Sequence, residues 1–432
     1  MLKQENKTEV IVVGAGPAGI SCAITLAKAG KQVVLIERGL FAGSKNMFGG
    51  AIYTHAVKEI FPDFETCAPL ERRNIEHNYT ILGETDSTTI TYRNDDNSGY
   101  SVIRAKFDRW MAEEARKAGV YLVEETVVKE LIKEKNKVAG VRTELEEYYA
   151  DIVVLADGVN SLLAKQAGLR KDIRTKDVAL SVKEVIKLDA ETINQRFNLK
   201  DGEGSIVEIF GGSMLGMLGL GFMYTNIDSV TIGLGITLNE LVENNYRPFE
   251  LLEKLKQHPS IAPLIEGGTL KEYSAHLIPE GGYKRIPKLT DNGVMVTGDA
   301  GMLVNNLHWE GTNLAMISGK FAAQTAIKAI DANDFSKKML SNYEKLLKNS
   351  FVLKDMKTYK DLLDIVRQRK KAFLYYYFKK VNAFFGLFTL ADGVPKKEKY
   401  RKFIKSIFTD RKISELFRDA WAILNLLWSI LL

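Results

Sequence analysis

Three glycines, Gly14, Gly16 and Gly19, follow directly on the apolar, β-branched run Val10–Val13, with Ala15, Pro17 and Ala18 filling the spaces between them. A G-x-G-x-x-G spacing at the end of a buried strand suits a pyrophosphate. One glycine allows a tight turn, one admits phosphate against bare backbone, and one lets the next helix pack close. The free N–H groups at that helix's N-terminus favour the negative charge. Ile20, Ala23, Ile24 and Ala27 recur at helical spacing and predict a helix over 20–29, with Gly30 as its stop. A second apolar strand, 32–36, delivers Glu37, whose carboxylate is placed to accept hydrogen bonds from an unphosphorylated ribose; Arg38 follows it. A plain structural turn is the alternative, but strand, triplet, helix, strand and acid succeed one another within one βαβ unit. The triplet by itself leaves NAD and FAD equally open.

Further stretches address the same ligand. GSKNMFGGAIY (43–53) offers Lys45, Asn46, Gly49 and Gly50 for close approach to a flavin or its phosphates; an ordinary surface loop is the other reading. Arg104 stands just before the apolar face Phe107, Trp110, Met111 and Ala115 of a helix expected over 102–118. Val128 ends a strand expected at 120–128. A strand at 149–155 runs into Asp157 and Gly158, and another ends at Gly298 and presents Asp299, placed for a ribityl hydroxyl. Gly311, Thr312 and Asn313 then open a helix aimed at a ring system.

Loops of this kind require an α/β fold, a Rossmann-like dinucleotide domain with a parallel sheet. Residues 1–75, 100–165 and 286–345 are assigned to it. Residues 76–99, with Tyr79, Ile81, Ile90 and Tyr92 alternating, and 166–285 read as an inserted, mostly antiparallel substrate domain with one helix at 249–258. Residues 346–432 form a C-terminal helical region.

The 432 residues are 46% hydrophobic, which excludes a disordered chain and allows two globular regions with an appendage. The N-terminus MLKQENKTE has no apolar segment of a signal peptide, so the expected compartment is the cytoplasm. Two cysteines, Cys22 in the first helix and Cys67 in a loop, cannot make the four-thiolate cage of an iron–sulfur cluster, and no metal site is expected. The net charge of +6 is local: residues 351–432 hold 18 Lys and Arg against 8 Asp and Glu, which leaves the rest of the chain at −4. The same segment has 16 of the 41 aromatic residues, a mixture that points away from nucleic acid and towards an interface wanting both cations and large apolar rings.

Taken together, the three loops resemble those of the FAD-dependent group that includes aromatic hydroxylases, geranylgeranyl reductases and electron transfer flavoprotein:quinone oxidoreductases, over about the first 345 residues. SKNMFGG (44–50), YSAHLIPEGGYKRIPKLTDNG (273–293) and LHWEGTNLAMISGKFAA (307–323) resemble the quinone oxidoreductase branch, and within it the Fix-type flavoprotein subunit. The resemblance implies FAD, with its ADP half on Gly14, Gly16, Gly19 and Glu37 and further contacts from Arg104, Asp157, Gly158, Gly298 and Asp299. Gly301 and Asn306 stand where the family has Ala and Pro, a local departure in the third loop.

The implied reaction carries electrons from electron transfer flavoprotein, a heterodimer, to a membrane quinone. A separate ferredoxin-like iron–sulfur protein is expected as a partner, because the long family members carry such a domain and this chain has no cysteine quartet. His308 is a candidate proton source or simply a structural neighbour. Met47, Phe48, Tyr53 and Trp309 wall a quinone slot or pack a core. The rival functions are a prenyl lipid reductase of geranylgeranyl type, an aromatic monooxygenase and a non-catalytic flavin-bearing docking subunit. The basic, aromatic stretch 367–388 and the uncharged run 420–432 predict a peripheral anchor on the cytoplasmic membrane face. Thirteen residues are too few to span a bilayer, which needs about 20, so Ile413, Leu416, Phe417, Ala420, Trp421, Leu424 and Leu427 are expected to form an interfacial stripe or to dock on a partner subunit.

Overall fold

The computed structural model describes residues 7–45, 50–96 and 99–431, apart from the side chains of 213 and 429–431. The chain divides into two compact units, one of residues 1–73, 98–179 and 275–357, the other of 74–97, 180–274 and 358–432.

The first unit is built on β1 (Lys7–Val13), which pairs in parallel with β2 (Val33–Ile36) on one side and β10 (Glu147–Leu155) on the other. β7 (Tyr121–Val123) extends the sheet beyond β2, and β17 (Val294–Val296) with β16 (Thr290–Asp291) extends it beyond β10. β8 (Glu130–Glu134) and β9 (Lys137–Arg142) form an antiparallel hairpin attached to β10. Val10, Ile11 and Val12 are fully buried, as a strand covered on both faces requires. The order places a topological switch between β1 and β10, so the loops after these strands open together at their carboxyl ends.

Helix α1 (Pro17–Lys28) begins three residues before the first periodic residue, because Pro17 at its first position has the backbone angle a helix needs and no N–H to lose. α2 (Arg104–Lys117) buries Phe107, Met111 and Ala115 as expected. α5 (Thr312–Asp331) lies against α1 so closely that a Cβ on Gly319 would stand 2.1 Å from the carbonyl oxygen of Ala18. β3 (Ala51–Tyr53), β6 (Gly99–Val102) and the start of β4 (Leu70–Leu82) make a small antiparallel ladder in this unit. The strand expected at 120–128 stops at Val123: Glu125 has φ +53°, and Glu125 and Thr126 donate to the carbonyls of Gly39 and Glu37, so the chain leaves the sheet to wrap the turn after β2. Cys67 closes a short helix, Phe64–Cys67, instead of sitting in a loop.

The second unit is an antiparallel sheet. β12 (Glu203–Gly211), β13 (Gly219–Thr225) and β14 (Ser229–Thr237) follow in order; β11 (Val178–Lys187) and β15 (Thr269–Pro279) extend one side, and β4 with β5 (Ser87–Arg93) the other. The single helix expected here is four: besides α4 (Pro248–Lys256) there are α3 (Ala190–Phe197) and the short turns Leu238–Glu243 and Ala262–Ile265. Local signals account for three of them, since the Asp189 carboxylate accepts from Thr192 N–H at the start of α3 and prolines lead α4 and Ala262–Ile265. Ile193 and Phe197 of α3 and Leu251, Leu252 and Leu255 of α4 pack with Val207, Ile209, Met223, Ile232 and Leu234 of the sheet.

The carboxyl-terminal residues of this unit are helical: α6 (Tyr377–Thr389), α7 (Lys396–Asp410) and α8 (Ile413–Leu431). α8 buries an acid and exposes large apolar rings. Its Asp419 is fully buried and accepts from Arg369, Arg411 and Tyr377 at 2.7, 2.6 and 2.9 Å, whereas Phe417, Trp421 and Trp428 are 74, 66 and 67% exposed. Among the described residues no helix is long and apolar enough to cross a membrane.

Replacing Gly319 by Ala is expected to wedge α5 from α1 and to cost about 1–3 kcal/mol. Gly386→Ala in α6, where a Cβ meets nothing within 4 Å, is expected to stabilise by about 0.5–1 kcal/mol. Paired thermal melts of the two variants check this; equal melting temperatures would mean that the helices are not in this contact.

Candidate functional site

The carboxyl ends of β1, β10 and β17 carry the three loops, and each loop is locked to its neighbours. Gly14, at φ +100°, lies against the second loop: a Cβ there would be 2.4 Å from the Ala156 carbonyl oxygen. A Cβ on Gly19, in the first turn of α1, would stand 1.8 Å from the Gly14 carbonyl oxygen. In the third loop, a Cβ on Gly298 would meet the Ala18 methyl at 2.8 Å. Arg170 ties the second loop to the third, because its Nη1 donates to the carbonyls of Val159 at 3.0 Å and Ala300 at 3.2 Å. Ser318 of α5 accepts from Gly298 N–H at 3.1 Å and fixes the turn into Asp299.

Glu37 sits at the tip of β2, buried, with Oε2 accepting from Ala15 N–H at 2.8 Å and Oε1 from Gly39 N–H at 2.6 Å. The two backbone donors hold the carboxylate beside the glycine turn, and the lone pairs they leave can still receive hydroxyl donors. Gly16 caps α1 in an extended conformation, so the first N–H groups of the helix have no side-chain acceptor. That end of the helix has the polarity an anion requires.

On the other side of the site, Arg104 is 4% exposed and held in a two-point ion pair by Asp108, Nε to Oδ1 at 2.7 Å and Nη2 to Oδ2 at 2.8 Å. Its remaining Nη1 points to Thr312 Oγ1, at 3.5 Å, where α5 begins. Burial pushes the Asp299 carboxyl up to about 6, with the Arg104 charge pulling the other way. Asp157 is likewise driven to about 6 by burial, against the Ser161 hydroxyl that donates to it at 2.7 Å and the charge of Arg170. Two carboxyl groups that burial makes proton-hungry are suited to bind hydroxyl groups. Asn313, 3% exposed, has its amide beside the Glu310 carboxylate, and Asn305 Nδ2 and Arg170 Nη2 are buried without acceptors. Unpaired buried amides are costly unless a ligand completes them.

Of the other candidates, Arg38 and Lys45 are exposed, Gly50 is half-buried, and Val128 packs against the apolar core of this unit. Asn46, Met47, Phe48 and Gly49 lie outside the described residues. Tyr53 ends β3, half-buried; His308 and Trp309 are both exposed, Trp309 at φ +49°. Pro17 and Ala18 are buried in the first turn of α1, and Gly158, at φ +77°, has open space where a side chain would go. Sequence reasoning missed Asp108, although its i+4 spacing from Arg104 on a helix is readable. Arg170, Ser318 and Asn305 carried no local signal. Neither did His276, which burial and the charges of Arg104 and Arg38 keep below the usual histidine range.

Residues 7–196 match the FAD binding domain family, and residues 365–427 the ETF-QO/FixC family C-terminal domain. The buried polar atoms left without partners and the carboxyls raised by burial fit such a ligand, and the cofactor is FAD. Protein FixC of Bradyrhizobium diazoefficiens is 43% identical over 427 residues, 96% of this chain and 98% of that one. Protein FixC of Azotobacter vinelandii is 44% identical over 424 residues, with the same two shares. In fold, the chain is similar to a geranylgeranyl bacteriochlorophyll reductase-like protein from Thermoplasma acidophilum, with a TM-score of 0.68 at 23% identity over 87% of this chain and 98% of that one. The length and level of the match to the FixC proteins, with the family's own C-terminal domain in place, make this chain a member of the ETF-QO/FixC family of FAD-dependent oxidoreductases.

Proposed function

We propose that this flavoprotein accepts electrons that originate on an electron transfer flavoprotein, by way of a ferredoxin-like iron–sulfur partner, and passes them to a quinone held in a membrane. The observation that carries the reading is helix α8 within the family's C-terminal domain, whose Asp419 is buried and whose Phe417, Trp421 and Trp428 face outward. A helix so arranged is stable only if its outer face meets lipid or protein. The cations of α7, Lys397, Arg401, Lys402 and Lys405, lie on the same segment and suit anionic headgroups at the cytoplasmic face.

In this reading the glycine turn and the start of α1 hold the pyrophosphate, and Glu37 takes the ribose. Asp299 holds a ribityl hydroxyl, and Gly311, Thr312 and Asn313 bring the N-terminus of α5 towards the ring. Arg104, fixed by Asp108, adds a permanent positive charge on that side. FAD supplies the redox chemistry, exchanging electrons one at a time on the donor side and in a pair with a quinone. The protein's share is position, charge and exclusion of water. Two cysteines, one buried and one exposed at the end of a helical turn, do not provide a cluster, which is why a separate iron–sulfur protein is assigned to the electron path.

Gly16→Val places a branched side chain where the phosphates would approach the backbone, and is expected to yield folded, colourless protein. A yellow, fully loaded variant would remove the pyrophosphate from this turn. The reaction itself is checked by mixing the holoprotein with reduced donor flavoprotein, the ferredoxin-like partner and a soluble short-chain quinone: quinone-dependent turnover is expected only with all components. Full-rate turnover without the iron–sulfur partner would refute its place in the path, and no turnover with any of them would leave a docking subunit. For the membrane, Trp421→Glu with Phe417→Glu should abolish flotation with anionic liposomes while the protein stays yellow and folded. Undiminished flotation of that variant would show that α8 is not the contact.

A further inference from the structure

At the amino ends of β1 and β10, the opposite end of these strands from the three loops, the first unit has a cleft of about 640 Å³. Lys7 of β1, Lys135 in the turn between β8 and β9, Lys137 of β9, Tyr149 and Asp151 of β10 and Phe335 beyond α5 line it. The stem of Lys137 is fixed. Gly293, in the turn from β16 to β17, has φ +72°, and a Cβ there would stand 2.8 Å from Lys137 Cγ and 3.1 Å from its Cε, so the stem lies against bare backbone. Val138 N–H donates to the Asn292 carbonyl at 3.0 Å and Gly293 N–H to that of Phe335 at 2.9 Å, which ties the same strip of chain on both sides.

The amine at the end of this stem lies 4.2 Å from the centre of the Phe335 ring, which attracts a cation but also keeps water from one side of it. Asp151 Oδ1 is 3.8 Å away, beyond a hydrogen bond, and the same oxygen is 3.0 Å from the Lys7 ammonium. Lys137 thus shares an acid that another lysine holds more closely. Burial, opposed by the charges of Asp151 and Glu134 and helped by that of Lys7, keeps it below the usual lysine range. Lys31 and Lys117 show the contrary case, held above that range by hydrogen bonds to the Asp331 and Glu114 carboxylates. A lysine that is partly the free amine, at the wall of a cleft, is a nucleophile with room for a reagent.

We propose that Lys137 is an acylation site, whose amine takes the acyl group of a small acyl phosphate held in this cleft by Lys135 and Lys7. An acyl phosphate has the chemistry the walls ask for: a dianionic end for two ammonium groups and a short acyl chain to lie against Phe335 and Tyr149. The amine nitrogen attacks the carbonyl carbon, and a C–N bond forms. The bond from that carbon to the phosphate oxygen breaks, and its electron pair leaves with the phosphate. The nitrogen gives up one proton, which the departing group carries away as hydrogenphosphate. Nothing is oxidised or reduced. The amide that results has no charge, so it leaves Asp151 to Lys7 and rests on the Phe335 ring as an apolar group. The inference is independent of the electron path proposed above.

The test is a competition among lysines of one protein. The holoprotein is incubated briefly with acetyl phosphate near neutral pH, and acetylation of each lysine is read by mass spectrometry of its peptides. Access alone would favour Lys117, whose side chain is 71% exposed against 33% for Lys137. Lys137 is nevertheless expected to react on the order of tenfold faster, because the fraction of free amine sets the rate. Lys135→Gln should slow the reaction of Lys137 with acetyl phosphate severalfold and leave its reaction with the uncharged donor N-acetoxysuccinimide unchanged, which separates capture of phosphate from reactivity of the amine. In guanidinium chloride, where the cleft is gone, Lys137 and Lys117 should react alike. Acetylation of Lys137 no faster than that of Lys117 in the folded protein overturns the assignment, and so does a preference that survives unfolding. A Lys135→Gln protein that reacts with acetyl phosphate at the original rate overturns the capture of phosphate in the cleft.

Discussion

The approach of backbone to backbone around the glycine turn is the constraint on which the first unit depends. A methyl group at Gly14, Gly19 or Gly319 would overlap a carbonyl oxygen of the neighbouring segment, and one at Gly298 would overlap the Ala18 methyl. Because no side chain stands between them, β1, β10 and β17 can end at one place and α1 and α5 can meet over their ends. The glycines decide where the loops lie, and the loops hold Asp157, Asp299 and Asn305 of the site. Side-chain bonds then lock the arrangement: Glu37 on Ala15, Arg170 on Val159 and Ala300, Ser318 on Gly298.

Polar groups in the two units differ in how completely they are satisfied, and the difference separates structure from function. Arg104 is saturated on one side by Asp108, as a buried cation must be, and leaves one nitrogen towards Thr312. Asp419 accepts from two arginines and a tyrosine and holds the terminal helices together. In contrast, Asn305, Arg170 and Glu208 each leave a buried polar atom without a partner, at a cost of about 1–3 kcal/mol for each truly buried group. Groups that the fold could have satisfied and did not are the ones that address a ligand.

The terminal helices show why composition must be read together with burial. Their excess of cations and rings says only that the segment is not nucleic-acid-like. The burial of Asp419 with Trp421 outward says which way α8 is turned, and that direction cannot be recovered from an amphipathic pattern, since a stripe of apolar residues faces a core as readily as a lipid.

Much of the first unit was legible in the chain itself. The run Val10–Val13, the glycine spacing and Glu37 fall within thirty residues, where strand, turn and helix signals are local and reinforce one another; α5 opens at Thr312 as expected, while α2 opens at Arg104, two residues late, because Val102 still belongs to β6. The inserted sheet was legible as alternation, which is also local, while its three further helices were not, because segments of four to eight residues have too few turns for a period to stand out. The end of β7 was misplaced since Val127 and Val128 resume a β-branched pattern beyond Glu124–Thr126, while the pull of Gly39 and Glu37 carbonyls on the Glu125 and Thr126 N–H groups takes the chain out of the sheet. Arg170 meeting Ala300, Ser318 meeting Gly298, and Lys137 standing over Phe335 join residues that are not neighbours in sequence. Such pairings are set by strand order and register, so the tertiary structure alone decided which polar groups are paired and which are left for a ligand; the sequence by itself determined that a strand, a glycine turn and a helix would be there to hold one.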